Sequence, residues 1–271
     1  MRVASELCLY EVRDGVGIVT FNRPERNNGM TGALELAYFA RLAQANADRE
    51  VRAVVVTGAG RSFCPGADLA HVPGPDDEPL PNTKVATIFP LGLDKPLVAA
   101  INGACAGVGL VQALQCDVRF ASDRARFTTA FARRGLIAEY GIAWLLPRVV
   151  GYAAATDLLV SGRTFDAAEA LRIGLVSSLH PAEAVLEHAV AYAADVAANT
   201  SPSSMATIKR QLRRYQTTGL EEALADSNRL MRLSLEGSDF REGVSSFLEG
   251  RPPAFAPLGE GTRFPWMDER H

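Results

Sequence analysis

Residues 95–122 read KPLVAAINGACAGVGLVQALQCDVRFAS, and this stretch decides the fold. From Pro96 to Gln115 it carries no charge, a run about as long as a membrane span. A span needs an unbroken apolar helix, and here Pro96, Asn102, Gly103, Gly107, Gly109, Gln112 and Gln115 interrupt it. The run therefore divides into a short buried strand, PLVAAIN at 96–102, a glycine-rich turn, INGACAGVGL at 101–110, and the start of a helix. CDVRFA at 116–121 has the same character as the first strand. Strand, glycine turn, helix and strand in succession predict the interior of an α/β domain, not a membrane segment.

The same pattern stands upstream. RAVVVTG at 52–58 is short and β-branched, as a buried strand should be, and GAGRSFCPGADL at 58–69 follows as a second glycine-containing turn. Neither turn is a dinucleotide fingerprint, which needs G-x-G-x-x-G directly after a strand. The first has Gly58 and Gly60 but Phe63 where the third glycine belongs, and Gly103, Gly107 and Gly109 are wrongly spaced. What two such turns can do together is different. Glycine beside a helix start lets backbone N–H groups face a cavity, and two of them converging on one oxygen stabilise an enolate or tetrahedral anion.

Toward the N-terminus, LCLYEVR at 7–13 and VGIVTF at 16–21 predict a hairpin turning at Asp14-Gly15, ended by NRP at 22–24. Thr31 is placed to cap a helix with Leu34, Tyr38, Leu42 and Ala45 on its apolar face. Residues 71–92, rich in proline and acid, read as a mobile loop near the site, with room for a short helix. Beyond residue 140 the pattern is helical. Asp166 and Glu169 have capping-box spacing, Gly174 ends that helix, Ser201-Pro202 starts another, and Gly219, Gly237 and Gly250 punctuate the rest. The expected division is a core at 1–200 carrying the site and a helical region at 201–271.

Composition narrows the function. Hydrophobic residues make up 48% and charged residues 22%, an ordinary globular balance, and the formal charge of −3 gives no reason to expect nucleic acid or an anionic membrane as partner. The N-terminus MRVASELCLYEVRD lacks an apolar signal segment. Cys8, Cys64, Cys105 and Cys116 form no C-x-x-C pair and read as buried thiols of a reducing, cytoplasmic compartment. His71, His180, His188 and His271 have no metal-ligand spacing, so no metal site is expected.

Taken in order, NRPERNN at 22–28, VRAVVVTGAGRSFCPGADL at 51–69, KPLVAAINGACAGVG at 95–109 and CDVRFAS at 116–122 resemble the crotonase superfamily, the enoyl-CoA hydratase/isomerase family. RRGL at 133–136, LLPRVVG at 145–151, GLVSS at 174–178 and SFLEGRPPAF at 246–255 extend the resemblance over almost the whole chain. It implies a spiral of ββα units (the ClpP/crotonase-like fold) with a C-terminal helical region used for homotrimer contacts, trimers in some cases pairing into a dimer of trimers. It implies a coenzyme A thioester as substrate, with no tightly bound cofactor, and a place in fatty acid metabolism. The oxyanion hole falls on the backbone N–H groups of Ala67 and Val108, the second a glycine in most relatives. The CoA path falls on Arg26, Asn28, Ala67, Asp68 and Leu69, with Phe247 and Arg251 reaching the nucleotide, in some relatives from a neighbouring subunit. Asp68 and Asp117 also match acids common to the family whatever its activity, which reads as a structural role.

The two glutamates with which related hydratases hold water correspond here to Val111 and Phe131, and neither can move a proton. One acid remains where several relatives, among them single-glutamate Δ3,Δ2-enoyl-CoA isomerases, place their catalytic carboxylate: Glu139, in RRGLIAEYGIAWLLPR. A single carboxylate suffices for a 1,3-proton shift, and desolvation by Tyr140, Ile142 and Trp144 would raise its pKa toward the working range. Double-bond isomerisation through Glu139 is the expectation, with hydration of 2-enoyl-CoA as the alternative. A CoA-binding paralogue without catalysis, kept for scaffolding or RNA association through the basic run IKRQLRRY at 208–215, is the alternative from another class. Cys64, beside the first turn but with no His or Lys partner in reach, reads as packing.

Overall fold

The structure, a computed structural model, describes residues 4–71 and 86–267. A short turn of helix, α1 (Ala4–Leu7), leads into the hairpin β1 (Cys8–Arg13) and β2 (Val16–Phe21), with Asp14 and Gly15 both at positive φ in the turn. Helix α2 (Gly32–Ala47) follows, its first turn capped by the Thr31 hydroxyl, which accepts from the Leu34 N–H. Then the chain repeats itself. β3 (Ala53–Gly58) is followed by the three-residue β4 (Ser62–Cys64), and β5 (Leu97–Ile101) by β6 (Ala104–Ala106) and helix α3 (Val108–Leu114). β7 (Val118–Ser122) is followed by β8 (Arg126–Thr128), then by α4 (Ile142–Val150) and α5 (Tyr152–Ser161). The short β9 (Phe165–Asp166), α6 (Ala167–Arg172) and β10 (Ser178–His180) lead to the helices α7 (Val185–Asn199), α8 (Pro202–Arg214), α9 (Leu220–Glu236) and α10 (Ser238–Glu249).

Each repeat lays its first strand in one sheet and its second in another. The six-stranded sheet runs β1-β2-β3-β5-β7-β10, parallel after the opening hairpin, and the four-stranded sheet runs β4-β6-β8-β9. This is the spiral of ββα units. β3 and β5 are buried at every residue because both faces are covered, which is why their sequences run apolar without alternation. One face, with Val16, Ile18, Val55 and Val98, packs on Val185, Ala189, Ala193 and Ala197 of α7. The other, with Val19, Phe21, Val54, Val56 and Ile101, belongs to the main core, where the stripe Leu34, Tyr38, Leu42 and Ala45 of α2 closes it.

Several local expectations hold. Asp166 accepts from the Glu169 N–H and Ser201 from the Ser204 N–H, each as the first residue before its helix, and Gly174 and Gly250 take left-handed φ where helices end. Two differ. The turns at 58–69 and 101–110 contain β4 and β6, too short at three residues to show a periodicity. The chain beyond residue 140 is not wholly helical, since β10 pairs with β7 and completes the large sheet. In the segment read as a loop with room for a short helix at 71–92, the final part, Ala86–Gly92, is 3-10 helix; residues 72–85 lie outside the described residues. No helix among the described residues is long and apolar enough to cross a membrane, and the run from Pro96 to Gln115 is β5, β6 and α3.

Candidate active site

Two amide side chains stitch three loops together. Asn28, fully buried, donates to the carbonyls of Ala59 and Ser62 and accepts from the Arg23 N–H. Asn102 donates to the carbonyls of Gly58 and Gly60. The NRPERNN turn is thereby fixed to the first glycine turn, and that turn to the strand leading into the second. Asn28, expected along the CoA path, sits beneath the turn with its amide engaged inside the chain.

The first turn is then aimed. Met30 forms an isolated parallel bridge with Ala67, in which the Met30 N–H donates to Gly66 O and the Asp68 N–H to Met30 O, both at 2.8 Å. A parallel bridge uses the groups of the flanking residues, so the N–H of Ala67 itself faces away from Met30. In the second turn the Gly107 N–H donates to Thr128 O, and Gly107 takes φ 49° and ψ −124°, a conformation suited to glycine, before α3 begins at Val108. Val108 is thus the first residue of the helix, where an N–H has no intrahelical acceptor. Neither the Ala67 nor the Val108 N–H has a hydrogen-bond acceptor among the described residues. The two turns touch, since a Cβ placed on Gly107 would lie 3.6 Å from the Gly66 Cα. Two unengaged donors from adjoining backbone turns can grip one oxygen that becomes negative.

Charge beside this pair is arranged by Asp68. Its buried carboxylate accepts from Arg23 Nη2 at 3.0 Å and Arg26 Nη2 at 3.1 Å, and Arg26 is half exposed. Ala67 and Leu69 are exposed on the same turn. The structure therefore brings Arg26, Ala67, Asp68, Leu69 and Val108 together, and adds Arg23. Phe247 and Arg251 lie elsewhere, at the end of α10. Phe247 is 84% exposed, and the Arg251 guanidinium is held by Glu242 through two bonds of 2.6 and 3.0 Å and by Glu249.

Glu139 directly precedes α4, which packs on α3. Tyr140 and Gly141 both have positive φ, so the backbone turns sharply there, and the Ile142 N–H bonds back to Glu139 O. The Glu139 side chain is exposed and its carboxyl makes no hydrogen bond or ion pair among the described residues; the atoms around it still desolvate the carboxyl in part, which pushes its pKa above the ordinary 4.5. Tyr140 is raised to about 12 by burial and then by the charges of Glu35 and Glu139. Val111 and Phe131 are buried in the main core and present no titratable group.

Glu35 did not emerge from the sequence. It lies on α2 only 8% exposed, its pKa raised by burial, with Gln112 Nε2 at 3.4 Å from its carboxylate. The signal was there, because Glu35 stands three residues before Tyr38 and seven before Leu42, at the edge of the buried stripe.

The remaining candidates are structural. Asp117 accepts from the Leu97 N–H, from the buried Lys209 ammonium and from Arg213, pinning α8 to the sheet, so the basic run at 208–215 is largely consumed inside the chain. All four cysteines are buried and free; burial pushes the Cys8, Cys64 and Cys116 thiols up to about 12, which makes Cys64 a packing residue and no nucleophile. No cluster of metal-ligating side chains occurs among the described residues.

The sequence model of the family described as "Enoyl-CoA hydratase/isomerase" matches residues 11–257. The chain belongs to that family. It is an acyl-CoA enzyme of the crotonase superfamily, and both kinds of activity occur among its relatives. A Rhodobacter capsulatus protein described as a probable enoyl-CoA hydratase is 37% identical over 256 residues, covering 91% of this chain and 96% of its own length. The 1,2-epoxyphenylacetyl-CoA isomerase of Escherichia coli is 34% identical over 259 residues, covering 92% and 98%. The crystal structure of an enoyl-CoA hydratase from Bacillus anthracis superposes with a TM-score of 0.84 at 28% identity, covering 92% of this chain and 99% of that one.

Proposed function

We propose that this enzyme isomerises the double bond of an enoyl-CoA thioester, with the N–H groups of Ala67 and Val108 holding the thioester oxygen and Glu139 moving the proton. The Glu139 carboxylate takes a proton from the carbon alpha to the thioester of a 3-enoyl-CoA. The electron pair passes into the conjugated system, leaving a dienolate whose oxygen carries the charge between the two backbone donors. The same carboxylic acid then returns the proton to the gamma carbon, giving the 2-enoyl-CoA. The observation that carries this reading is the pairing of one partly desolvated, unpartnered carboxylate with apolar side chains at both water-activating positions, Val111 and Phe131.

Hydration of 2-enoyl-CoA is the second reading, favoured by the relatives named as hydratases. Supplying 3-enoyl-CoA and 2-enoyl-CoA side by side separates the two. Conversion of the first without water addition to the second is expected; hydration as the faster reaction would overturn the proposal, and acyl-CoA binding without turnover would make the chain a non-catalytic paralogue.

On this reading Arg26, Ala67, Asp68 and Leu69 border the CoA path, with Asn28 and Asp68 acting through the turn they hold, and residues 1–200 carry the site. Residues 201–271 supply subunit contacts. The exposed apolar side chains of α9 and α10, among them Leu224, Met231, Leu235, Val244, Phe247 and Leu248, support a homotrimer, with Phe247 and Arg251 offered to a neighbouring subunit's nucleotide. Four buried free thiols fit a reducing, cytoplasmic compartment.

A further inference from the structure

Three buried polar side chains near the two turns are left without adequate partners. Glu35 has only the 3.4 Å contact from Gln112 and no cation beside it among the described residues. Gln112 Oε1 and the Tyr38 hydroxyl, both buried, have no hydrogen-bond partner among the described residues. Such groups are costly to leave unmatched, and a cluster of them calls for an occupant. Their place relative to the thioester follows from the helices. Glu35 lies in the first turn of α2, five residues beyond Met30 of the bridge to Ala67, and Gln112 one turn along α3 from Val108. One turn is a rise of roughly 6 Å, the reach of four or five bonds of an acyl chain anchored by its carbonyl at the two N–H donors. The surroundings agree: the charge of Glu35 is felt by Cys64, next to the first turn, and by Tyr140, next to Glu139.

We propose that Glu35, Gln112 and Tyr38 form a recognition subsite for an uncharged oxygen on the acyl group, so that the substrate is an acyl-CoA thioester carrying a hydroxyl or carbonyl oxygen a few carbons beyond the thioester. This rests on the reading of the two turns as the thioester site. The Tyr38 hydroxyl can donate to such an oxygen, and Gln112 Oε1 and the Glu35 carboxyl oxygens can accept from a hydroxyl. A plain alkyl chain leaves all three unmatched. An anionic acyl terminus would be buried beside the Glu35 carboxyl, to which no cation is bonded among the described residues.

The test is calorimetric binding of saturated acyl-CoA thioesters matched in length and bearing a terminal methyl, hydroxyl or carboxylate. The wild type, Glu35→Leu and Glu35→Gln are compared, each checked for native circular dichroism. Expected is tighter binding of the hydroxyacyl than of the alkyl thioester by about tenfold, the worth of one net hydrogen bond. Glu35→Leu abolishes that preference while alkyl binding persists, and Glu35→Gln, which keeps a donor and an acceptor at full volume, retains much of it. Equal binding of alkyl and hydroxyacyl thioesters by the wild type, tightest binding of the carboxylate, or a preference surviving in Glu35→Leu would overturn the subsite and leave the thioester site standing. Absence of binding by every thioester would remove both.

Discussion

Glu139→Gln separates a catalytic acid from a surface one. The substitution keeps the volume and removes the ability to take and return a proton. Because the Glu139 carboxyl has no hydrogen bond or ion pair among the described residues, nothing in the packing depends on its charge, and the folding stability should change by no more than about 0.5 kcal/mol. Loss of a positioned general base costs about 10²–10⁴ in rate, equivalent to roughly 3–5 kcal/mol of barrier. The separation between these two magnitudes is the prediction. kcat for conversion of 3-enoyl-CoA falls at least a hundredfold with KM nearly unchanged, since the carbonyl is still held by backbone. pH adds a second readout. The carboxyl must be ionised to take the proton, and burial sets its pKa above 4.5, so wild-type activity rises as pH passes through that raised value. The variant's residual activity has no such limb. The assay is the growth of conjugated-thioester absorbance, with solvent deuterium uptake at the alpha carbon as a check on the proton-removal step. Retention of more than about a tenth of wild-type kcat, with stability intact, would refute the assignment.

Gly107→Ala forces a side chain into a φ of +49° and should cost about 1–3 kcal/mol, while turning the Val108 N–H away and lowering kcat; thermal unfolding and kinetics read the two effects, and an unchanged kcat would remove Val108 from the oxyanion hole. Asp117→Ala leaves the buried Lys209 ammonium and the Leu97 N–H without their acceptor, so urea unfolding should show a loss of about 3–5 kcal/mol; a loss under about 1 kcal/mol would contradict the pinning of α8. Glu35 has a folded pKa above its unfolded value, so the folded state binds the extra proton and Glu35 costs most stability at high pH. Glu35→Leu should therefore raise Tm by an amount that grows as pH climbs above about 4.5, and a gain independent of pH would locate it in packing alone. The native protein should leave its four thiols unreactive toward an aromatic disulfide reagent at pH 8 and expose all of them on unfolding, because burial keeps them protonated.

Much of this was legible in the residues. Short apolar strands, the cap at Thr31, the Asp14-Gly15 turn and the helix starts at Asp166 and Ser201 are local choices, fixed by steric and hydrogen-bonding preferences within a few positions of each other. The ordered set of turns named the family, and the resemblance set Val111 and Phe131 at the positions where related hydratases carry their glutamates. Other features were beyond local reading. β4, β6 and β10 have three residues each and exist because a neighbouring strand pairs with them. Asn28, expected along the CoA path, proved to be a buried brace, as Asp68 was read to be, since only the approach of the 58–68 turn decides which way Asn28 faces. Whether Glu35 is an ordinary helix acid or a buried one depends on α3 lying across it. Local chemistry selects what a segment becomes, whereas burial, and with it the free energy of every polar group, is set by whatever the rest of the chain lays against it.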